Sequence, residues 1–248
     1  MKFGGPLTTQ NKMKHRNYIR SISIVVVLLV FSGYTASAKD RTGTLPNIVY
    51  ILADDMGYGD VSALNPESKI QTPSIDRLAS EGMNFTDAHS GSSVCTPTRY
   101  GILTGRYCWR TRLKRAVLWN YDNSLMKPSQ LSVASYLKEN GYNTGMVGKW
   151  HLGLDWASQS KPGEITEDEA DVDFAKPFKN GPVDMGFDYF FGINASLDMP
   201  PYIFLKNDKA VSIPTVAKKT FGRRIGLADK DLEPEHFLPA FTQEAVSY

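Results

Sequence analysis

One cysteine stands where a reactive side chain would be useful. The segment Ser92-Ser93-Val94-Cys95-Thr96-Pro97-Thr98-Arg99 places one of only two cysteines just before a proline and a predicted helix. Unpaired N–H groups at a helix N-terminus favour negative charge, and Arg99, four residues on, projects from the same helix face. A potential nucleophile beside a fixed cation suits chemistry on a tetrahedral anion such as sulfate or phosphate. A buried, inert cysteine and a disulfide with Cys108 are the alternatives.

A second pair of candidate residues, Lys149 and His151, follows a predicted strand. Two positions apart in an extended segment, their side chains point to one side. A lysine can hold an anionic oxygen, and a histidine can donate a proton to it or to a leaving group. Taken singly, each residue is equally typical of a protein surface.

Adjacent carboxylates, Asp54 and Asp55, end the first predicted strand. Two neighbouring negative charges are costly unless a cation or hydrogen-bond donors compensate them. Their hard oxygen atoms suit Ca²⁺ or Mg²⁺. A turn or a helix cap before a glycine explains the same pattern without a metal.

Strands and helices that would position these residues alternate along the chain. We predict a strand buried on both faces over 46–53, a helix from Thr72-Pro73 to Gly82, a strand over 83–88, a helix from about Pro97 to Gly105, a helix over 130–140 with Gly141 as its C-cap, and a strand over 142–147. This alternation predicts an α/β domain with a mostly parallel sheet flanked by helices. Ligands in such sheets gather beyond the carboxyl ends of the strands, which is where both candidate pairs fall.

Three other stretches are less regular. Residues 155–182 are acidic and without hydrophobic period, which predicts a solvated loop or an insertion that shapes a substrate site. A last helix is expected from Thr242, and because no C-cap follows it we expect a fragment of a longer chain. Four aromatic residues either line a sugar or aryl pocket or pack in the core: Trp119, Tyr121, Trp156 and Tyr202.

Residues 1–38 have the features of a secretory signal peptide. Five basic residues precede a short apolar run and an Ala36-Ser37-Ala38 cleavage pattern, and residues 39–45 form a polar linker. An uncleaved anchor is the alternative, but the run is too short for a stable one, so we expect an exported protein, periplasmic or secreted. Without residues 1–38 the charge is 23 basic against 26 acidic residues, or −3. This balance leaves no basic face for nucleic acid.

Three segments together resemble the type I sulfatases of the alkaline phosphatase superfamily. Cys95-Thr96-Pro97-Thr98-Arg99 fits their C-x-P-[ST]-R signature, with threonine where serine is more usual. PNIVYILADDMGYGD is similar to their first strand and metal loop, and GYNTGMVGKWHLG to their second signature. GFDYFFG is also familiar from that family, and the resemblance covers about residues 46–205. It implies an alkaline phosphatase-like fold, with residues 46–248 as the N-terminal part of the catalytic domain.

The resemblance also implies a mechanism. A maturation enzyme would oxidise Cys95 to formylglycine. One hydroxyl of its hydrate would attack the sulfur of a sulfate ester and displace the alcohol. The second hydroxyl would then lose its proton, the C–O bond to sulfate would break, and the aldehyde would return. Ca²⁺ or Mg²⁺ would be held by Asp54, Asp55 and the modified Cys95. Arg99 would stabilise the diol and the charge on the metal side. Lys149 and His151 would bind the sulfate group of a sulfated carbohydrate or an aryl sulfate.

One departure from the family pattern concerns the second half of the site. No further acid–amide metal segment and no candidate H-x-x-H pattern follows residue 205. The resemblance therefore implies that these 248 residues are inactive alone. The other functions considered are a phosphoester or phosphonate hydrolase of the same superfamily and a non-catalytic binder of sulfated glycans.

Overall fold

The computed structural model describes residues 45–219 and 224–248. The predicted signal peptide and the linker up to Thr44 lie outside this part of the chain. No helix among the described residues is long and apolar enough to cross a membrane. The chain divides into two compact units at Ala53, and every candidate site residue belongs to the second unit, Asp54–Tyr248.

Four α-helices are present among the described residues. They are α1 (Pro73–Glu81), α2 (Cys95–Thr104), α3 (Val133–Glu139) and α4 (Phe237–Ser247). Thr72 is the N-cap of α1 and Gly82 ends it, as predicted. Helix α2 ends at Gly105, whose φ of 64° is the left-handed conformation that glycine adopts at little cost.

The last two helices compare differently with the sequence expectation. After α3, the amide of Gly141 donates to the carbonyl of Lys138 and that of Tyr142 to Leu137, which confirms the predicted glycine stop. Helix α4 starts five residues before Thr242, because a 3-10 turn over Pro234–His236 leads directly into it. The prediction of a helix start at Thr242 was wrong.

The strands are short, and the largest sheet is mixed. They are β1 (Gly145–Lys149), β2 (Trp156–Ala157), β3 (Ile165–Thr166), β4 (Tyr189–Ile193), β5 (Leu205–Lys206), β6 (Lys209–Ala210), β7 (Val216–Lys219) and β8 (Ile225–Ala228). The main sheet has the order β1-β4-β5-β6, in which only β1 and β4 are parallel. The expected mostly parallel sheet is thus wrong for the described residues, since the two-residue connection from β5 to β6 permits only an antiparallel pair.

Two predicted strands do not form in the described part of the chain. Residues 45–53 and 83–88 carry no strand, and their apolar side chains are largely exposed, with Val49 82% and Met83 75% accessible. β-Branched composition favours an extended backbone, but a strand also requires hydrogen-bonding neighbours that composition cannot supply.

Residues 155–182 form a solvated loop only in their middle. Residues 159–170 are mostly exposed, as predicted, whereas Trp156 and Phe178 on the two flanks are 1% and 2% exposed and belong to the main hydrophobic cluster. The carboxylate of Asp171 accepts from the hydroxyl of Ser158 and the amide of Ser160. The expectation of a solvated loop was wrong for the flanks, because isolated bulky residues, without any helical or strand period, anchor them.

Candidate active site

Residues from three separate motifs meet at the carboxylate of Asp54. The ammonium nitrogen of Lys149 lies 2.7 Å from one carboxylate oxygen, and Nη2 of Arg99 lies 3.5 Å from the other. Nη1 of Arg99 also donates to the backbone carbonyl of Lys149 at 2.6 Å. The side chains of Arg99 and Lys149 are only 11% and 9% exposed, whereas Asp54 is 46% exposed. Two largely buried cations thus flank one carboxylate.

This arrangement keeps Asp54 ionised. Burial alone would raise the pKa of Asp54, but the hydrogen bond and charge of Lys149, followed by the charge of Arg99, lower it below its usual range. The cluster of the three side chains carries a net charge of +1 and is suited to receive an anion.

The parallel pair β1–β4 sets the position of Lys149. Lys149 is the last residue of β1 and pairs with Ile193, the last residue of β4. The ladder continues beyond both strands, because the amide of Trp150 donates to Ile193 and that of His151 to Asn194. Lys149 and His151 therefore lie at the carboxyl end of a parallel strand, as predicted, whereas Asp54 and Asp55 follow a segment that forms no strand.

His151 is buried and its backbone is left-handed. The extended segment assumed from the sequence ends at Lys149, and the φ of His151 is 56°. The imidazole Nε2 lies 2.9 Å from the carbonyl of Leu118, so it carries the proton and donates. Burial is the main cause that lowers the pKa of His151 to about 4, with the charges of Lys149 and Arg99 acting in the same direction. The ring is therefore neutral at pH 7, with an unprotonated Nδ1.

Two polar atoms of the site are buried without a partner among the described residues: Nδ1 of His151 and Nε of Arg99. Buried polar groups are nearly always hydrogen-bonded, so an orphaned acceptor and donor in one site indicate a place for a polar ligand. An anion would satisfy the Arg99 N–H, and a hydroxyl would satisfy the lone pair of His151.

Cys95 is the first residue of α2 and half-buried, with Val94 as the N-cap. The second cysteine, Cys108, is buried in the core, and burial raises the pKa of its thiol. Both thiols are free, so the structure contains no Cys95–Cys108 disulfide. Of the two, Cys108 is the inert buried cysteine and Cys95 is the accessible one.

The backbone from Leu118 to Asn120 links the parts of the site, and it was not identified from the sequence. The side-chain oxygen of Thr96, next to Cys95, accepts from the amide of Leu118 at 3.1 Å, and the carbonyl of Leu118 accepts from His151. Nδ2 of Asn194 donates to the carbonyl of Asn120 at 2.6 Å. Leu118 acts only through its backbone, which leaves no signal in its side-chain type.

The predicted metal ligands are only partly brought together. Asp55 is exposed with a φ of 60°, and no group of three His, Cys, Asp or Glu side chains converges anywhere in residues 45–219 or 224–248. The carboxylate oxygens of Asp54 and Asp55 are the hard donors that Ca²⁺ or Mg²⁺ prefers. Two carboxylates offer four oxygens at most, fewer than the six to eight that Ca²⁺ takes. They fit such an ion as part of a ligand set.

Comparison with known proteins shows which family the chain belongs to. The sulfatase family model matches residues 46–231, three quarters of the chain. The chain belongs to the sulfatase family. Its sulfatase relatives include the N-acetylgalactosamine-6-O-sulfatase of Bacteroides thetaiotaomicron, which is 39% identical over 80% of this chain and 37% of that protein. Human arylsulfatase H is 38% identical over 60% of this chain and 24% of its own length.

A solved sulfatase structure supports the same assignment. The structure was solved in work on the metabolism of multiple glycosaminoglycans by Bacteroides thetaiotaomicron. It matches this chain with a TM-score of 0.59 and 36% sequence identity. The match covers 72% of this chain and 35% of that one. This sulfatase chain thus spans well under half the length of the relatives it matches.

Proposed function

We propose that this protein hydrolyses sulfate esters of carbohydrates, using a formylglycine made from Cys95. The observation that carries the proposal is the convergence of Arg99 and Lys149 on Asp54, three residues from three sulfatase-like segments. The name of the similar Bacteroides thetaiotaomicron N-acetylgalactosamine-6-O-sulfatase supports a sulfated sugar as substrate. An aryl sulfate is the alternative substrate class.

The two cations provide the binding energy for the sulfate group. Lys149 and Arg99 are nearly excluded from water, so their attraction for an anion is stronger than that of surface charges. The buried Nε–H of Arg99 has no acceptor within residues 45–219 and 224–248 and is available to a sulfate oxygen. Formylglycine at position 95 supplies the nucleophilic hydroxyl for the sulfur atom.

His151 acts as a hydrogen-bond acceptor in this proposal. Its Nε2 proton is engaged by the carbonyl of Leu118, so only Nδ1 is available to the reaction. A neutral imidazole with a free lone pair takes a proton from a hydroxyl and does not give one to the leaving alcohol. This role replaces the sequence interpretation, in which His151 donates a proton to the anionic oxygen or to the leaving group.

Asp54 and Asp55 would hold part of the coordination shell of Ca²⁺ or Mg²⁺, together with the modified residue 95. Such an ion supplies positive charge that lowers the pKa of a bound hydroxyl and polarises an ester oxygen. Even with a metal bound, Arg99 and Lys149 remain the groups that fix the position of Asp54.

Export and maturation belong to the same proposal. The signal-like segment 1–38 directs the protein to the periplasm or outside the cell. A formylglycine-generating enzyme is the required partner, since it recognises the segment from Cys95 to Arg99. Its product at Cys95 replaces the sulfur and two hydrogens of the side chain by one oxygen.

The test combines mass spectrometry with an activity assay on the exported protein. The tryptic peptide Leu78 to Arg99 should show the aldehyde mass at Cys95 and be trapped by hydrazide. Because the resemblance implies that these 248 residues are inactive alone, hydrolysis is measured on a protein that carries the whole site: cleavage of N-acetylgalactosamine 6-sulfate should disappear in C95A and persist in C108A, the matched control. An unmodified thiol in a host that matures other sulfatases would favour a sulfated-glycan binder. Preferential cleavage of the matching phosphate ester would favour the phosphoester or phosphonate hydrolase.

A further inference from the structure

Among the four aromatic residues that the sequence leaves open between a pocket and the core, one is clearly exposed. Tyr121, Trp156 and Tyr202 are 5%, 1% and 2% exposed and pack inside the molecule. Trp119 is 51% exposed. Singly exposed apolar residues are common on protein surfaces, so the exposure of Trp119 points to a ligand only together with its place in the fold.

The backbone places Trp119 beside the candidate active site. Its preceding residue, Leu118, donates to Thr96 next to the cysteine and accepts from the imidazole of His151. The amide of Trp119 itself donates to the carboxylate of Asp122 at 2.6 Å. Trp119 is therefore the next residue after Leu118, whose backbone is hydrogen-bonded to both Thr96 and His151.

A charged pair flanks the indole. The guanidinium of Arg224 lies 4.7 Å from the ring centroid, a cation–π contact, and it forms an ion pair with Asp198. Arg224 also donates to the carbonyl of Asp198 at 3.3 Å. Arg224 thus covers part of the ring and fixes its orientation, while half of the Trp119 surface stays open.

We propose that Trp119, oriented by Arg224, is a stacking platform for the sugar ring that carries the scissile sulfate. A pyranose has an apolar C–H face that packs on an aromatic ring and hydroxyl edges that bond to charged groups, here Arg224 and Asp198. Trp119 determines specificity for sugar over small sulfates and takes no part in the chemistry. This inference rests on the proposed function.

The chain offers a matched control. Trp109 is 55% exposed and has the guanidinium of Arg110 5.2 Å from its ring centroid. It follows the opposite end of α2 from Cys95, and that helix of ten residues is about 15 Å long. Trp109 therefore has the same chemistry and exposure as Trp119 but lies away from the site. The other two tryptophans, Trp150 and Trp156, are buried.

The test measures binding without turnover, in a C95S background, by tryptophan emission. Titration with N-acetylgalactosamine 6-sulfate should change the emission; W119F should abolish the change and W109F should retain it. Because W119A and W119F lack the reporting indole, the affinities of all variants are measured by isothermal titration calorimetry: W119A should weaken binding about tenfold or more and W119F by much less, whereas W109A should bind normally. The affinity for inorganic sulfate, which has no ring, should differ far less between W119A and the parent.

Two results would separate this inference from the proposed function. If the parent binds neither inorganic sulfate nor the sugar sulfate, the proposed function fails. If both ligands bind and W119A weakens them equally, or no more than W109A does, the platform at Trp119 is wrong while the proposed function stands.

Discussion

At the scale of single residues, the site depends on an excess of positive charge in a place with little water. Arg99 and Lys149 compensate Asp54, and the remaining net charge of +1 is available to an anionic ester. A surface pair of the same residues would contribute far less, because water screens exposed charges. The two types of residue are not interchangeable here, since the guanidinium of Arg99 bonds Asp54 and the carbonyl of Lys149 at once.

His151 makes stability depend on pH. Its folded pKa of about 4 lies below its unfolded value near 6.5, so the folded state binds fewer protons between these pH values. Its contribution is complete above pH 6.5 and is lost as the pH falls towards 4, by roughly 2 to 3 kcal/mol. Urea unfolding of the parent and H151N, between about pH 7.5 and pH 4.5, measures this.

H151N is a suitable variant because asparagine tolerates the left-handed backbone at position 151. The slope of stability with pH over this window should be smaller in H151N than in the parent. Equal slopes in the two proteins would show that other groups cause the pH dependence.

At the scale of elements, the parallel pair β1–β4 is the frame of the site. The two strands approach so closely at Gly192 that an added Cβ would lie 1.8 Å from the carbonyl oxygen of Gly148. G192A should therefore force the strands apart and lower the free energy of unfolding by about 3 kcal/mol. Because β1 ends at Lys149, sulfate ester hydrolysis should fall as well.

The same substitution in α2 should have the opposite effect. At Gly101 the nearest atom to an added Cβ is 3.7 Å away, an ordinary contact. G101A should raise the free energy of unfolding by up to about 1 kcal/mol, the helix preference of alanine over glycine. Chemical denaturation of both variants checks the pair, and similar losses in the two would contradict the close approach of β1 and β4.

At the scale of the whole molecule, the exposed run Ile48-Val49-Tyr50-Ile51 is an aggregation hazard. Contiguous exposed β-branched residues without charge offer an edge for pairing between chains. V49K should lower the aggregated fraction of the 248-residue chain severalfold without lowering its melting temperature. V246K, at an equally exposed valine in α4, is the control.

Light scattering and sedimentation velocity at increasing protein concentration measure the difference. Equal behaviour of V49K and V246K would mean that exposure alone, and not the extended apolar run, governs self-association.

The sequence by itself determined the family of this protein and predicted its chemistry. Cys95, Arg99 and Lys149 lie in short motifs, and such motifs can be recognised from residue types and spacing without a structure. Caps such as Thr72 and Gly141 were equally local, and the structure confirms them.

Tertiary structure decided what depends on contacts distant in the chain. It placed Asp54 on Lys149 across 95 positions, paired β5 and β6 antiparallel, and buried Trp156 and Phe178 on either side of the acidic segment. It also separated exposed Trp119 from three buried aromatic residues of similar sequence character. Local patterns record propensity and capping, whereas burial and strand pairing depend on which distant segment packs against each residue.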